Sequence, residues 1–452
     1  MLSKISFNKF SLGYAISYFL MIFGTMTLFN SITTNLFLIG AHFHDLMIYL
    51  IIVTVFSFIL AFIAPLLGYI SDKRKQGSRR RPYLIFGIVG MSVVTFFYYF
   101  SPLRFGFTDI FLNIAYFVIL HCIYLFSSII FNISFISLFP EMFQNHNSRA
   151  NVVGLLLGFS ALASLLIVIL ELFFNLEEIY FGIIFGLLII LGGIVLFKRG
   201  LDEKFLRLSE KTKSNEQTSY KILSSSNKIY IWFLIAFFFI SISEFLIENA
   251  LGYIRSINSI NIPSPLILIF IIFMDIIPSV AIILSLLYWK KLSHSIGIKK
   301  LLKFLILALL LFTFALLFLS DLVSGFILTC LIKVSLSGLS FVKLLFLAII
   351  IDHYFLNTGK RREATYFGLN NTFNFISNYI GLYLLSFITI FPTLFIDFSE
   401  PDPFQDYYFF IKIGISLIAL IFIGISMVLI RKIPLDREKY NTIEKEITEM
   451  NT

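Results

Sequence analysis

Apolar residues come in long unbroken runs along this chain, separated by short polar segments. Twelve runs stand out, at roughly 10–38, 47–70, 83–101, 109–139, 150–172, 178–198, 229–254, 263–289, 301–320, 322–351, 365–392 and 407–430. A helix crossing a bilayer core needs about 20 apolar residues, and every run is close to that length or longer. Strands of a membrane barrel would alternate apolar and polar residues over about 10 positions; these runs do not alternate, so the pattern predicts helices. The longest runs predict tilt or broken ends. The first run lacks the short apolar core and small-residue cleavage site of a signal peptide, so it is expected to be a retained helix. The expectation is an all-α membrane protein with twelve transmembrane helices.

Composition turns lipid from an option into a requirement. Of 452 residues, 58% are hydrophobic and 13% charged, against about 25% charged in an ordinary soluble domain. A soluble fold has to present much of its surface to water and cannot hide so much apolar area. A cytosolic enzyme, a disordered chain and a nucleic-acid-binding module are thereby excluded. The net charge of +9 has a topological reading instead. Loop 71–82 holds six Lys and Arg, 198–228 eight, 290–300 four, 352–364 three and the tail 431–452 five, while the alternate loops carry chiefly Arg104 and Arg255. By the positive-inside rule both termini face the cytoplasm, in the cell membrane, and the surplus charge also attracts anionic lipid. Cys122 and Cys330 give no disulfide framework or metal spacing and read as small buried hydrophobes. No nucleophile–base constellation, metal signature or phosphate-binding glycine loop is present. The chain is therefore expected to be no enzyme, to carry no metal or cofactor, and to draw on no ATP.

The one long polar stretch between runs, 198–228, splits the runs six and six. The expected organisation is a first six-helix half (1–198), a cytoplasmic loop (199–228), a second half (229–430) and a cytoplasmic tail (431–452). A short echo supports duplication: Gly68 lies at the end of the second run with Asp72 and a basic cluster around Gly77 after it, and Lys290, Lys291, Gly297, Lys299 and Lys300 follow the eighth. Two related halves with a site between them near the midplane is a common plan of secondary transporters. A monomer is the default for that plan.

The stretch GYISDKRKQGSRRRPY (68–83) resembles the loop signature of the major facilitator superfamily, and its RRRPY ending is similar to the glycoside–pentoside–hexuronide:cation symporters and the related sucrose transporters. NISFISLFPE (132–141) with Arg149 is similar to that family's end of helix 4, and Asp352, TGKRREA (358–364) and Gly368 to its loop between helices 10 and 11. The resemblance implies a sugar or glycoside solute moved by alternating access. It also implies that Gly68, Asp72, Arg79, Arg80, Arg81, Glu141, Arg149, Asp352, Arg361, Arg362 and Glu363 form a cytoplasmic gate. Physically, a carboxylate such as Asp72 can cap a neighbouring helix N-terminus and pair with arginine. The plainer alternative is that these charges only obey the positive-inside rule.

The chain departs from that family where the coupling cation would bind. The acids expected on helix 2 are Leu60 and Ala64, the helix 4 position is the amide Asn132, and the helix 11 region that often holds Lys reads Thr372, Phe373, Asn374. Hard cations want several oxygen ligands, preferably charged, so a Na⁺ site is not expected and a proton is favoured over Na⁺. Other ionisable groups lie within the runs: Glu244, Glu248, Asp275, Lys333, Lys343 and His121. Charge in lipid is costly and normally faces a cavity or a partner. Glu244 and Glu248 are one turn apart on one face, where two carboxylates repel and a shared proton relieves both. They are the coupling candidates, with a structural pairing to Lys333 or Arg255 as the alternative. Asp275, Lys333 and Lys343 are candidates for coupling or cavity lining, or for ordinary pairing and snorkelling. His121 is a candidate or a satisfied buried histidine. Tyr14, Tyr18, Asn30, Thr33, Thr34 and Asn35 supply groups that suit a sugar but serve equally as helix–helix glue.

Three functions remain open. The first is a secondary transporter for a sugar or glycoside, with or without coupling to protons. The second is a transporter for an amphiphile such as a lysolipid on the same scaffold. The third is a non-transporting receptor or pigment- or cofactor-handling scaffold, since a fold does not fix a function.

Overall fold

The structure, a computed structural model, describes residues 9–25, 43–74, 79–98, 100, 102, 109–173, 178–201, 228–260, 276–318, 322–394 and 403–451. Among the described residues helix follows helix: α1 (Lys9–Thr25), α2 (Phe43–Lys73), α3 (Arg81–Tyr98), α4 (Ile110–Met142), α5 (His146–Phe173), α6 (Glu178–Val195), α7 (Lys228–Ile260), α8 (Ile277–Ile296), α9 (Ile298–Leu316), α10 (Leu322–Thr358), α11 (Glu363–Ile390), α12 (Pro403–Arg431) and α13 (Arg437–Asn451). Among the described residues, nine helices are long and apolar enough to cross a membrane. The expected eighth run is described only from residue 276 onward, and most of the 198–228 segment lies outside the described residues.

Local chemistry sets the helix ends. Asp109 caps α4 by accepting from the Leu112 amide at 3.0 Å, as N-cap carboxylates do. Gly359 ends α10 with φ +66° and its amide on the Phe355 carbonyl at 2.7 Å; that left-handed conformation is inexpensive only for glycine.

The chain forms two compact units. Unit 1 is Met1–Asn215 with Phe355–Thr372, and unit 2 is Glu216–Tyr354 with Phe373–Thr452. In unit 1, α1 packs on α6, and α3 packs on α6 and α4. In unit 2 the corresponding helices repeat two of those pairings, α7 on α12 and α9 on α12. An aromatic core in unit 1 gathers Tyr49, Tyr98, Phe117 and Phe185, with Phe23, Tyr116, Tyr124 and Phe181 packed against it.

The polar tail contains a helix that the apolar runs do not announce. α13 is charged overall, but Ile443 and Ile447 are one turn apart and buried. Arg437 at its start donates to the Ser295 and His294 carbonyls at 2.9 and 3.1 Å, at the end of α8. Cations at a helix C-terminus meet both its free carbonyls and its dipole.

Candidate functional site

Two groups of candidate side chains emerge, one in each unit. The first is a buried ionic cluster in unit 1. Arg80, fully buried, donates to Ser71 Oγ at 2.8 Å, Asp72 Oδ1 at 2.6 Å and Glu141 Oε1 at 2.6 Å. Arg79 donates to Glu141 Oε1 at 2.7 Å and Glu363 Oε2 at 3.1 Å. Arg361 stands 3.9 Å from Glu363 and stacks 4.6 Å from the Phe355 ring centre. Three guanidiniums thus meet three carboxylates, which is the balance a buried ionic group requires. Burial alone would lower the pKa of Arg79, but Glu141, Glu363 and Asp72 outweigh it and the net shift is upward. Burial opposes Arg80 too, and Glu141 and Asp72 again raise it. Both arginines therefore remain charged at any pH the protein meets.

Asp72 also ties the cluster to a helix end. Its Oδ1 accepts from the Ala364 amide at 3.3 Å, and its Oδ2 from the Thr365 amide and hydroxyl at 2.8 and 2.6 Å. These are free N–H groups of the first turn of α11, where a carboxylate meets the positive end of the dipole.

Next to the cluster, α2 and α11 lie in backbone contact. A Cβ on Gly68 would collide with the Ala364 carbonyl, and one on Gly368 would sit 2.7 Å from the Ala64 carbonyl oxygen. Pro65 lacks the N–H that the Ala61 carbonyl would otherwise accept, and the Thr372 hydroxyl donates to that carbonyl instead. Leu60 and Ala64, which stand where the family's acids would be, are 1% and 0% exposed. A carboxylate at Ala64 would be buried where the helices touch. Gly68→Val is expected to push α11 off α2 and cost at least about 1–3 kcal/mol, the usual range for overpacking. A lower melting midpoint in detergent, with faster hydrogen exchange at 364–366, would show it.

The second group lines a polar cavity of about 280 Å³ in unit 2, formed by Ser241, Glu244, Phe245, Glu248, Leu336, Ser340, Lys343, Asn374 and Asn378. Three helices supply it from single faces. Ser241, Glu244 and Glu248 follow helical spacing on α7, Leu336, Ser340 and Lys343 on α10, and Asn374 and Asn378 on α11. Lys343 Nζ donates to Asn374 Oδ1 at 2.8 Å and to Ser241 Oγ at 3.5 Å, and lies 5.4 Å from the Phe237 ring centre. The ammonium is thus held on one wall by an amide and an aromatic face. Glu244 and Glu248 line the same space, with Glu248 the more exposed.

A family model described as Major Facilitator Superfamily matches residues 14–382. The chain belongs to the major facilitator superfamily. It is an integral multi-pass membrane protein and, by family and fold, a transporter. No curated protein matches its sequence. Among solved structures, it is similar to a bacterial homologue of the iron transporter ferroportin in the outward-facing state, with TM-score 0.66, 12% identity, and 94% of this chain and 98% of that one covered. The same homologue with soaked iron gives TM-score 0.67, 12% identity, and 94% and 99% coverage. At that identity the likeness concerns the fold.

Other candidates of this superfamily member lie elsewhere. Arg149 donates to the Phe143 carbonyl at 2.6 Å and the Pro140 carbonyl at 3.5 Å, closing the end of α4. Arg81 faces outward over the Phe197 ring at 5.5 Å. The backbone carbonyl of Arg362 accepts from the Tyr366 amide in the first turn of α11. Asp352, on α10 in unit 2, is 9% exposed. Tyr14 is fully buried, donates to the Phe135 carbonyl at 2.6 Å and stacks on the Phe135 ring at 4.1 Å. Tyr18 stacks on the same ring at 5.3 Å. Both tyrosines thus join α1 to α4. His121 is 2% exposed and its Nδ1 pairs with Tyr49 Oη at 2.8 Å, beside the aromatic core. Asn132 is half-buried on α4, and Lys333 is half-buried on α10 and does not line the cavity. Asp275, Asn30, Thr33, Thr34 and Asn35 lie outside the described residues. Ser241, Ser340 and Asn378 were not singled out in the sequence, although each is one helical step from a residue that was.

Proposed function

We propose that this chain is a secondary transporter of a small polar solute, a sugar or glycoside, coupled to protons through Glu244 and Glu248. The carrying observation is the cavity of unit 2, where two glutamates and a lysine share one small space with hydroxyls, amides and the Phe245 ring. Convergent polar groups beside an aromatic face suit a polyol. The proposal keeps the resemblance to the glycoside–pentoside–hexuronide:cation symporters, with the charges moved. Acids stand on α7 in place of helix 2, and an amine from α10 rests on Asn374, in the helix 11 region that holds Lys in many relatives. One proton on the glutamate pair relieves its mutual repulsion and leaves one carboxylate to balance Lys343, so an uncharged solute can bind beside a neutral site and the proton is carried with it.

In this proposal the chain lies in the cell membrane with both termini cytoplasmic, works as a monomer, and uses the unit 1 cluster as its cytoplasmic gate. Opening the gate has to break the Asp72 bonds to the first turn of α11. Asp72→Asn keeps the shape and loses the charge, and is expected to change how readily cysteines introduced on the two sides are labelled. Unchanged labelling and transport would refute the gate.

A metal-ion load is the competing reading, because the similar solved structures are of an iron-transporter homologue. The Lys343 ammonium in the cavity repels a cation, and among the described residues no group of three or more His, Cys, Asp or Glu is placed to hold a metal. The test is uptake into proteoliposomes of monosaccharides, glycosides, a lysolipid and Fe²⁺, under imposed proton or Na⁺ gradients. Proton-driven uptake of a sugar or glycoside is expected. Uptake of Fe²⁺ or lysolipid alone, or strict Na⁺ dependence, would overturn the proposal.

A further inference from the structure

The basic loop 71–82 divides its arginines between two environments. Arg79 and Arg80 turn to the buried carboxylates. Arg74 and Arg81 are exposed, and neither has a carboxylate within ion-pair distance among the described residues. These two stand at one end of a groove of about 980 Å³ on the outer surface of unit 1, between α3 and α4. Along α3 it is lined by Ile85, Val89, Val93 and Phe97, four residues apart and so on one stripe. Ile123 of α4 faces them. Ile85, Val89, Val93 and Phe97 are 44%, 54%, 47% and 48% exposed. At the helical rise, Ile85 to Phe97 covers about 18 Å. One leaflet of a bilayer core of about 30 Å is about 15 Å deep, so the groove is about as long as the acyl region of one leaflet.

We infer that this groove binds an anionic phospholipid, with the phosphate on Arg74 and Arg81 and an acyl chain along α3. The charge decides the occupant. A neutral apolar ligand has no use for two guanidiniums that meet no carboxylate among the described residues, Arg81 resting only over the Phe197 ring, whereas a phosphate accepts from both. The position agrees with the chemistry: Arg81 opens α3 one turn before the apolar stripe begins at Ile85, and a basic residue at the end of an apolar span suits the headgroup layer. The loop that offers Arg74 and Arg81 also carries Arg79 and Arg80, so bound lipid sits one peptide from the ionic cluster.

The test is native mass spectrometry of the full chain in detergent, titrated with phosphatidylglycerol and with phosphatidylcholine. Phosphatidylglycerol is expected to bind more tightly. The double variant Arg74→Gln, Arg81→Gln is expected to weaken it by about 5-fold for each arginine and about 30-fold for both, the usual contribution of a basic residue at an anionic surface. Val89→Trp fills the groove without touching charge and is expected to weaken both lipids. Inorganic phosphate and glycerol phosphate at the same concentrations are expected not to compete. Equal binding of the two lipids, phosphatidylglycerol binding unchanged by both variants, or full competition by free phosphate would overturn the inference. So would a dimer that Val89→Trp dissociates, since a second copy would then occupy the groove.

Discussion

Arg80→Met is expected to destabilise the protein by about 3–5 kcal/mol, the usual cost of removing one partner from a buried ionic group. Arg80 is fully buried and joins Ser71, Asp72 and Glu141. Methionine fills much of the volume, so the loss is mainly electrostatic: Asp72 and Glu141 remain buried with less cation around them. Arg80→Lys keeps the charge but replaces a rigid fork by a point donor, and is expected to fall between the two. Adding Glu141→Gln to Arg80→Met removes one stranded carboxylate and is expected to recover part of the loss, a non-additivity typical of groups in one network. Melting midpoints in detergent, with hydrogen exchange at 364–366, measure all four proteins. If Arg80→Met melts with the wild type, the cluster does not hold α11 to α2.

Most of the fold was legible because apolar runs of this length have few structural options. The runs at 109–139, 322–351 and 365–392 correspond to α4, α10 and α11 within a few residues at most ends. Hydrophobicity alone does not announce α13, whose signal is the spacing of Ile443 and Ile447 within a charged segment. The chemistry of the loops was legible as motif, but not as geometry. That Arg79 and Arg80 turn inward while Arg81 turns outward depends on how α3 begins, which charge counting does not show. The uncharged polar residues were the hardest to place. Tyr14 and Asn378 carry groups of equal interest in a sequence, yet one ties two helices together and the other lines the cavity. Only the packing separates them.

The second large effect concerns the glutamates. Glu244→Gln with Glu248→Gln keeps the hydrogen-bonding shape of the cavity and removes both proton sites. The double variant is expected to lose gradient-driven accumulation down to the level of protein-free liposomes. Solute exchange across the membrane at equal pH is expected to persist, because an exchange of bound for free solute requires no net proton movement. This separation distinguishes a coupling role from a structural one. A variant that has merely lost its fold fails both assays and melts early, whereas a variant that has lost coupling fails only the first. Glu248→Gln alone is expected to have the smaller effect, since Glu248 is the more exposed of the pair.

The central claim is that the unit 2 cavity moves a polar solute together with a proton carried by the α7 glutamates. The most direct test is the external pH of lightly buffered proteoliposomes when the solute found in the uptake panel is added. The wild type is predicted to make the outside more alkaline as solute enters, and Glu244→Gln with Glu248→Gln to show exchange without any pH change. Equal alkalinisation by the wild type and the double variant would contradict the claim.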